Sequence, residues 1–273
     1  FKQKTAYEIA QWRVGSEMCI RDSVNYRYDS DVLFADDTDH SRFSFFGLRA
    51  GVARNTLDKF LYPRRGSDLK LSGIFVTGRD KYEPFDAKKF LSRTPRQWFG
   101  ARFTWDKYFD MPGCSWLSLG LNVDGVITNH PEFTTEGATV MSMPAYEPVP
   151  HAQMIYMPDF RGRRFAAGGI MPTFDLMHNF FLRTGFYAMF REKRSFVPGV
   201  SGPVEDKRWH YIAEASLVYH TPIGPVSLAL TKYDLRNWKN MYLTFNFGYA
   251  IFAPKGTCLL YTSPSPRDTE RSR

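Results

Sequence analysis

The run Met241–Phe252, MYLTFNFGYAIF, constrains the fold more than any other part of this chain. Leu243, Phe245, Phe247, Tyr249 and Ile251 hold one set of alternate positions, and Tyr242, Thr244, Asn246, Gly248 and Ala250 hold the other. Successive side chains of a β-strand point to opposite faces, so a period of two collects the first set on one side of a sheet. That side is wholly apolar and rich in aromatic rings. A strand with lipid on one side and water on the other needs this division. Phe252 breaks the alternation and leaves the register of the last residue open.

The division recurs upstream. Phe43–Arg54 sets Phe46, Leu48, Ala50 and Val52 against Gly47, Arg49 and Gly51. In Ser67–Thr77, Leu69, Leu71 and Phe75 oppose Asp68, Lys70 and Ser72. In Gln97–Asp106, Phe99, Ala101, Phe103 and Trp105 oppose Gly100, Arg102 and Thr104. Trp116–Val126 places Leu117, Leu119, Leu121 and Val123 opposite Ser118, Gly120, Asn122 and Asp124. Further strands are expected at Arg163–Ile170, Asn179–Phe190, Trp209–Tyr219 and Pro225–Tyr233, roughly nine in all, separated mostly by Gly, Pro, Asp and Asn turns. A Pro- and Met-rich stretch, Thr128–Asp159, is too long for a casual turn, and long loops in compact domains usually have a role of their own. It is expected outside the membrane or folded into the lumen.

Arg49, Arg102, Asp124, Arg183 and Glu214 all fall opposite the apolar set. A charge facing lipid at bilayer depth costs about 2–4 kcal/mol, so this parity fits a wet interior behind a lipid-facing wall. Aromatics make up 16% of the chain while its mean hydropathy is only −0.38, as expected where every second residue meets lipid. No run of about 18 apolar residues is present to serve as a membrane-spanning helix. The expected fold is therefore all-β, an antiparallel transmembrane barrel represented by about nine strands. A soluble sandwich, the alternative, would bury partners for Arg49, Arg102 and Arg183.

Both ends read differently. Lys2–Ile9, Val14–Ser23 and Cys258–Asp268 resemble translated sequencing-library adapters, as left in an assembled metagenomic fragment. The expected organisation is adapter-derived residues 1–23, a barrel fragment over 24–257 and adapter-derived residues 258–273, with the true N-terminus missing. Cys19 and Cys258 then drop out, leaving Cys114 with no disulfide partner and no metal-ligand spacing. The ends hold 7 of 36 Lys+Arg and 5 of 28 Asp+Glu, so residues 24–257 carry 29 minus 23, or +6. A mild basic excess suits anionic lipid. Without a basic run interleaved with aromatics, it does not indicate nucleic acid.

No pattern of reactive residues is legible. His40, His130, His151, His178, His210 and His220 lack metal-binding spacing. Asp36, Asp37 and Asp39 lack the rest of a Ca²⁺ loop and read as a solvated turn. The methionines of Met141–Met157 read as loop packing. Gly199–Pro203 is no nucleophile elbow, because Gly202 directly follows Ser201. Trp98, Trp105, Trp116, Trp209 and Trp238 sit near strand ends, where interfacial rings belong. No catalytic residue, cofactor or metal site is expected.

Several segments resemble known barrels. Phe247, Gly248, Tyr249, Ile251 and Phe252 resemble the C-terminal insertion signal of bacterial outer-membrane proteins. The run from Asn55 through Tyr62-Pro63-Arg64-Arg65-Gly66 is similar to the Pro-x-x-Gly strand start of the BamA/TamA surface-antigen superfamily. Arg161-Gly162 is similar to that superfamily's Arg-Gly motif on a luminal loop, although Phe160 and Arg163 depart from its usual flanks. Phe75–Tyr82, Gly168–Pro172 and Gly224–Leu228 lean toward the barrels of Bacteroidetes patatin-like phospholipases. The resemblance implies a sixteen-strand barrel in the outer membrane, of which these strands are the last part. It implies lipid and lipopolysaccharide as surroundings and the barrel-assembly machinery as a partner during insertion, with a homodimer left open. The implied role is to anchor, and in some cases export, a lipase domain that this chain lacks. A BamA-like assembly or translocation factor and a passive porin are the alternatives.

Overall fold

A computed structural model describes residues 11–29, 38–59, 61–83, 92–114, 116–133, 139–140, 142–149, 152, 157–196, 203–221, 224–234 and 241–247. For residues 11–29, 38–42, 82–83, 92–94, 194–196 and 203–204 only the backbone is described. The chain is all-β: β1 (Gln11–Asp29), β2 (Thr38–Asn55), β3 (Gly66–Glu83), β4 (Ser92–Asp110), β5 (Leu117–Thr128), β6 (Arg164–Met177), β7 (Phe180–Phe196), β8 (Pro203–Thr221), β9 (Gly224–Tyr233) and β10 (Met241–Phe247). Every strand pairs antiparallel with its sequence neighbour in one ten-stranded sheet, with β1 and β10 at its margins.

β2 to β10 are the nine strands expected from alternation. Most run further than the alternation does; β3 continues to Glu83, and β8 begins at Pro203. Backbone hydrogen bonds carry a ladder onward where the side chains no longer divide into two faces. β1 includes residues 11–23 of the adapter-like run. It pairs with β2 from Gln11↔Asn55 to Asp29↔Thr38, with a register shift between Cys19 and Asp22. An open sheet edge offers unpaired N–H and C=O groups to any extended backbone, whatever its side chains.

The ladders fix a slant. Gly66 at the start of β3 pairs with Tyr108, Tyr108 with Gly120, and Gly120 with Met171. The register carries this level through Gly185 and Glu214 to Thr231. β9 nevertheless starts at Gly224, and 231 minus 224 is seven residues. Strand ends thus slip seven residues over the six steps from β3 to β9. At about 3.3 Å per residue and about 4.8 Å per strand, the slip is about 23 Å over 29 Å, a slant near 39°.

The connections are unequal. At one end they are residues 56–65, 111–116, 178–179 and 222–223. At the other they include residues 84–91, 197–202, 234–240 and the long loop 129–163. The two tightest are built for reversal. Asn179 takes a positive φ of 61°, and Gly224 a φ of 148°. Asn and Gly are the residues that tolerate such turn positions.

Burial is inverted relative to a water-soluble sheet. One face carries Arg49, Asp68, Asp124, Arg183, Glu214, Ser216, Ser227 and Thr231, all buried. The opposite face exposes Leu71, Phe99, Ile127, Ile170, Phe186, Leu230, Leu243 and Phe245. The sheet curls around its polar face. Tyr62, four residues before β3, donates its hydroxyl hydrogen to Ser227 Oγ on β9 at 2.8 Å. Four residues and a tyrosine span about 20 Å, against about 29 Å between β3 and β9 in a flat sheet.

Candidate functional site

The described parts of loop 129–163 pack against the curled face. Phe133, Val140, Met143, Ala145, Tyr146, Val149, Ala152 and Phe160 are all buried, a burden no surface loop carries. Their counterpart is an apolar strip on the wall, where Val126, Phe165, Met171, Tyr187, Ile212 and Tyr233 join Tyr146, Val149 and Phe160 in one cluster. The loop's arms brace each other. Ala145 and Arg161 form an antiparallel bridge, the Tyr146 N–H donates to Phe160 O at 2.9 Å, and the Gly162 N–H donates to Pro144 O at 3.2 Å.

Arg161 and Gly162 therefore lie on the loop at its contact with the wall. Arg161 Nη1 donates to Met143 O at 3.1 Å, so this guanidinium bonds the loop's own backbone. A Cβ at Gly162 would lie 3.2 Å from both Arg191 Cβ and Glu192 O, so glycine lets the arm approach β7 closely. Of the proposed C-terminal signal, Phe247 projects from the apolar face and is 62% exposed. Gly248, Tyr249, Ile251 and Phe252 lie outside the described residues.

The residues that tie the loop to the wall are others. Arg102 grips Asp124 through Nε–Oδ1 at 3.1 Å and Nη2–Oδ2 at 2.5 Å, and Nη2 also donates to Ala145 O at 3.2 Å. Tyr146 donates to Asn122 Oδ1 at 2.7 Å, and the Asn122 amide donates to Asp106 at 2.8 Å. Arg191 donates to Arg161 O at 3.2 Å and to Asp159 at 3.3 Å, while its Nε donates to His210 Nε2 at 2.9 Å. Phe160 meets His210 and Tyr233 edge-on, each at 5.6 Å between ring centres. Alternation placed Arg102 and Asp124 on this face; Arg191 lies one residue past the strand end expected at Phe190, and nothing in the sequence named the partners of any of the three.

Lower on the wall, Arg183 is buried between two rings, its guanidinium carbon 5.6 Å from the centres of Tyr62 and of Tyr108. Its Nη2 lies 3.3 Å from Tyr108 Oη and 2.8 Å from Met171 Sδ. Arg102 and Arg183 thus have buried partners, the feature expected of a sandwich. The partners come from the same sheet and its loop, and among the described residues no second sheet faces them. The face expected to line a wet lumen is covered in part by the described residues of the loop.

At the loop's first turn, Phe43, Phe45, Trp98, His130 and Phe133 form a buried aromatic cluster, with Trp98 and His130 ring centres 4.7 Å apart. Burial drives the His130 imidazole down to a pKa of about 3, so it is neutral at physiological pH. Trp98 is 2% exposed and belongs to this cluster, which corrects its expected place in an interfacial girdle. Trp116, in the connection before β5, is exposed and stacks on Phe174, Trp209 is exposed on the apolar face, and Trp238 lies outside the described residues.

The methionines also pack. Met143 is buried and Met157 rests against the main cluster. Cys114 sits in the β4–β5 turn as a free thiol. Among the described residues, no group of three His, Cys, Asp or Glu side chains is placed to hold a metal ion. The arrangement is one that holds a loop in place: ion pairs at its arms, rings at its root and an apolar strip beneath it. No protein-family model matches the chain, and no curated protein matches it.

Proposed function

We propose that this chain is part of the wall of a bacterial outer-membrane β-barrel with a loop-filled interior, and that it anchors a patatin-like lipase domain. The observation that carries the membrane reading is the inverted burial. A sheet that hides Arg49, Arg183 and Glu214 while exposing Phe99, Phe186 and Phe245 suits lipid outside and protein or water inside. The slant of about 39° lies within the 35–45° of membrane barrels. Both two-residue connections, 178–179 and 222–223, fall at one end of the sheet and the long connection 129–163 at the other, an asymmetry that suits such a barrel.

Spacing adds support. On β8, Tyr219 and Trp209 are exposed ten residues apart, which is about 33 Å along the strand. At that slant this projects to about 26 Å, against an apolar band about 25 Å tall between aromatic girdles. A passive pore is disfavoured by the loop that occupies the interior. The anchoring role rests on the family resemblance, with a BamA-like assembly factor as the other reading.

Single nitroxide labels test the membrane reading. With the chain folded in a bilayer, Leu230→Cys and Phe186→Cys should be open to oxygen and closed to a water-soluble nickel chelate. Equal nickel access at Leu230 and at Lys207 would remove it. Recovering the upstream coding sequence tests the anchor. A Gly-x-Ser-x-Gly elbow is expected there, and repeated POTRA modules alone would replace the lipase with an assembly factor.

A further inference from the structure

The connection between β2 and β3 does more than reverse the chain. Tyr62 sits in it with a φ of 53°, a left-handed conformation costly for a bulky residue. Such a conformation persists where its surroundings over-determine it, and here they do. The Tyr62 hydroxyl reaches Ser227 on β9. Its ring stands edge-on to Phe181 of β7 and packs with Val218 of β8, while its other neighbour is the Arg183 guanidinium. Arg64 pairs with Asp175 of β6, and Arg65 with Asp110 of β4. The segment is stiffened from within, because Asp58 Oδ1 accepts from the Arg64 N–H at 2.9 Å and the Arg65 N–H at 3.2 Å. The connection thus bonds to three strands that are not its own, β4, β6 and β9, and packs on two more, β7 and β8.

We propose that the β2–β3 connection, through its described residues 56–59 and 61–65, is a clasp across the curled face at the end of the two-residue connections, with Tyr62 as the pin. The clasp holds the two sides of the curl together and closes that mouth, while the described parts of loop 129–163 cover the same face from the opposite end. The clasp itself depends only on the contacts above. That it shuts a water-filled mouth rests on the barrel reading.

Two measurements on the full chain, with Cys19, Cys114 and Cys258 replaced by Ser, test it. Tyr62→benzoylphenylalanine, irradiated in the folded protein, should cross-link to peptides spanning Phe181 or Val218–Ser227. Cross-links confined to residues flanking position 62 would overturn the clasp, whether or not the sheet lies in a bilayer. Ser216→Cys then reports on closure, since Ser216 is fully buried on the inner face. Adding Tyr62→Ala should speed its reaction with a charged thiosulfonate about tenfold or more, as local opening exposes the site. An unchanged rate, with the same cross-linking result and an intact far-UV spectrum, would show that the segment spans the face without closing it.

Discussion

At the scale of single residues, the interior is governed by rings laid flat on glycines. A Cβ at Gly185 would lie 2.7 Å from Tyr187 Cε2, one at Gly120 would lie 2.6 Å from Tyr108 Cε1, and one at Gly169 would overlap the Tyr187 ring. These glycines supply space rather than an unusual φ. The flattened rings leave the room in which Arg183 lies against Tyr108 and in which the loop descends. Gly169→Ala should therefore destabilise by about 1–3 kcal/mol through overpacking. Gly125→Ala, with nothing within 4 Å of the added carbon, should stay within about 0.5 kcal/mol. Denaturant midpoints of the detergent-folded chain compare the two. Which glycine sits beneath which tyrosine was not legible in the sequence. Alternation places Tyr187 on the inner face, but the register that sets Gly169 opposite it comes from two strands together. Arg161 shows the same limit. Its position on the loop could be read, whereas its bond to Met143 O depends on how the arms fold back.

At the scale of elements, the strands were legible because one face is apolar throughout; the long loop was legible as a stretch without period, but where it docks was not. Its docking depends on scattered apolar residues meeting a strip of wall assembled from β5 to β9. The root of the loop has a pH signature. His130 is held neutral by burial with a pKa near 3, below its ordinary 6.5. A depressed folded pKa means that the unfolded chain takes up the proton first. The stabilisation is thus complete above about pH 6.5 and declines as pH falls toward 3. The thermal midpoint should drop between pH 7 and pH 4. His130→Phe, which cannot take up that proton among Trp98 and Phe133, should flatten the drop. A slope unchanged by the substitution would assign the acid sensitivity to other groups.

At the scale of the whole molecule, the single layer is the constraint. A sheet with one buried face and water beyond the other would place its charges outward, and here they are buried while Phe99, Ile127, Leu243 and Phe245 are more than 60% exposed. Something apolar must cover that face, and the covering decides the sign of a substitution. Phe186 lies between the levels of Phe174 and Trp209, near the middle of the apolar band. In a bilayer, Phe186→Arg should cost about 2–4 kcal/mol, the penalty for a charge at the midplane. In water the same change would relieve an exposed aromatic and improve solubility. Lys207→Glu, beyond Trp209 where charges already face outward, should be near neutral in either setting. Folding yields of the two variants in lipid vesicles and in aqueous buffer separate the cases. A Phe186→Arg chain that folds equally well in both would mean that the face is covered by protein, and the lipid-facing wall would have to be abandoned.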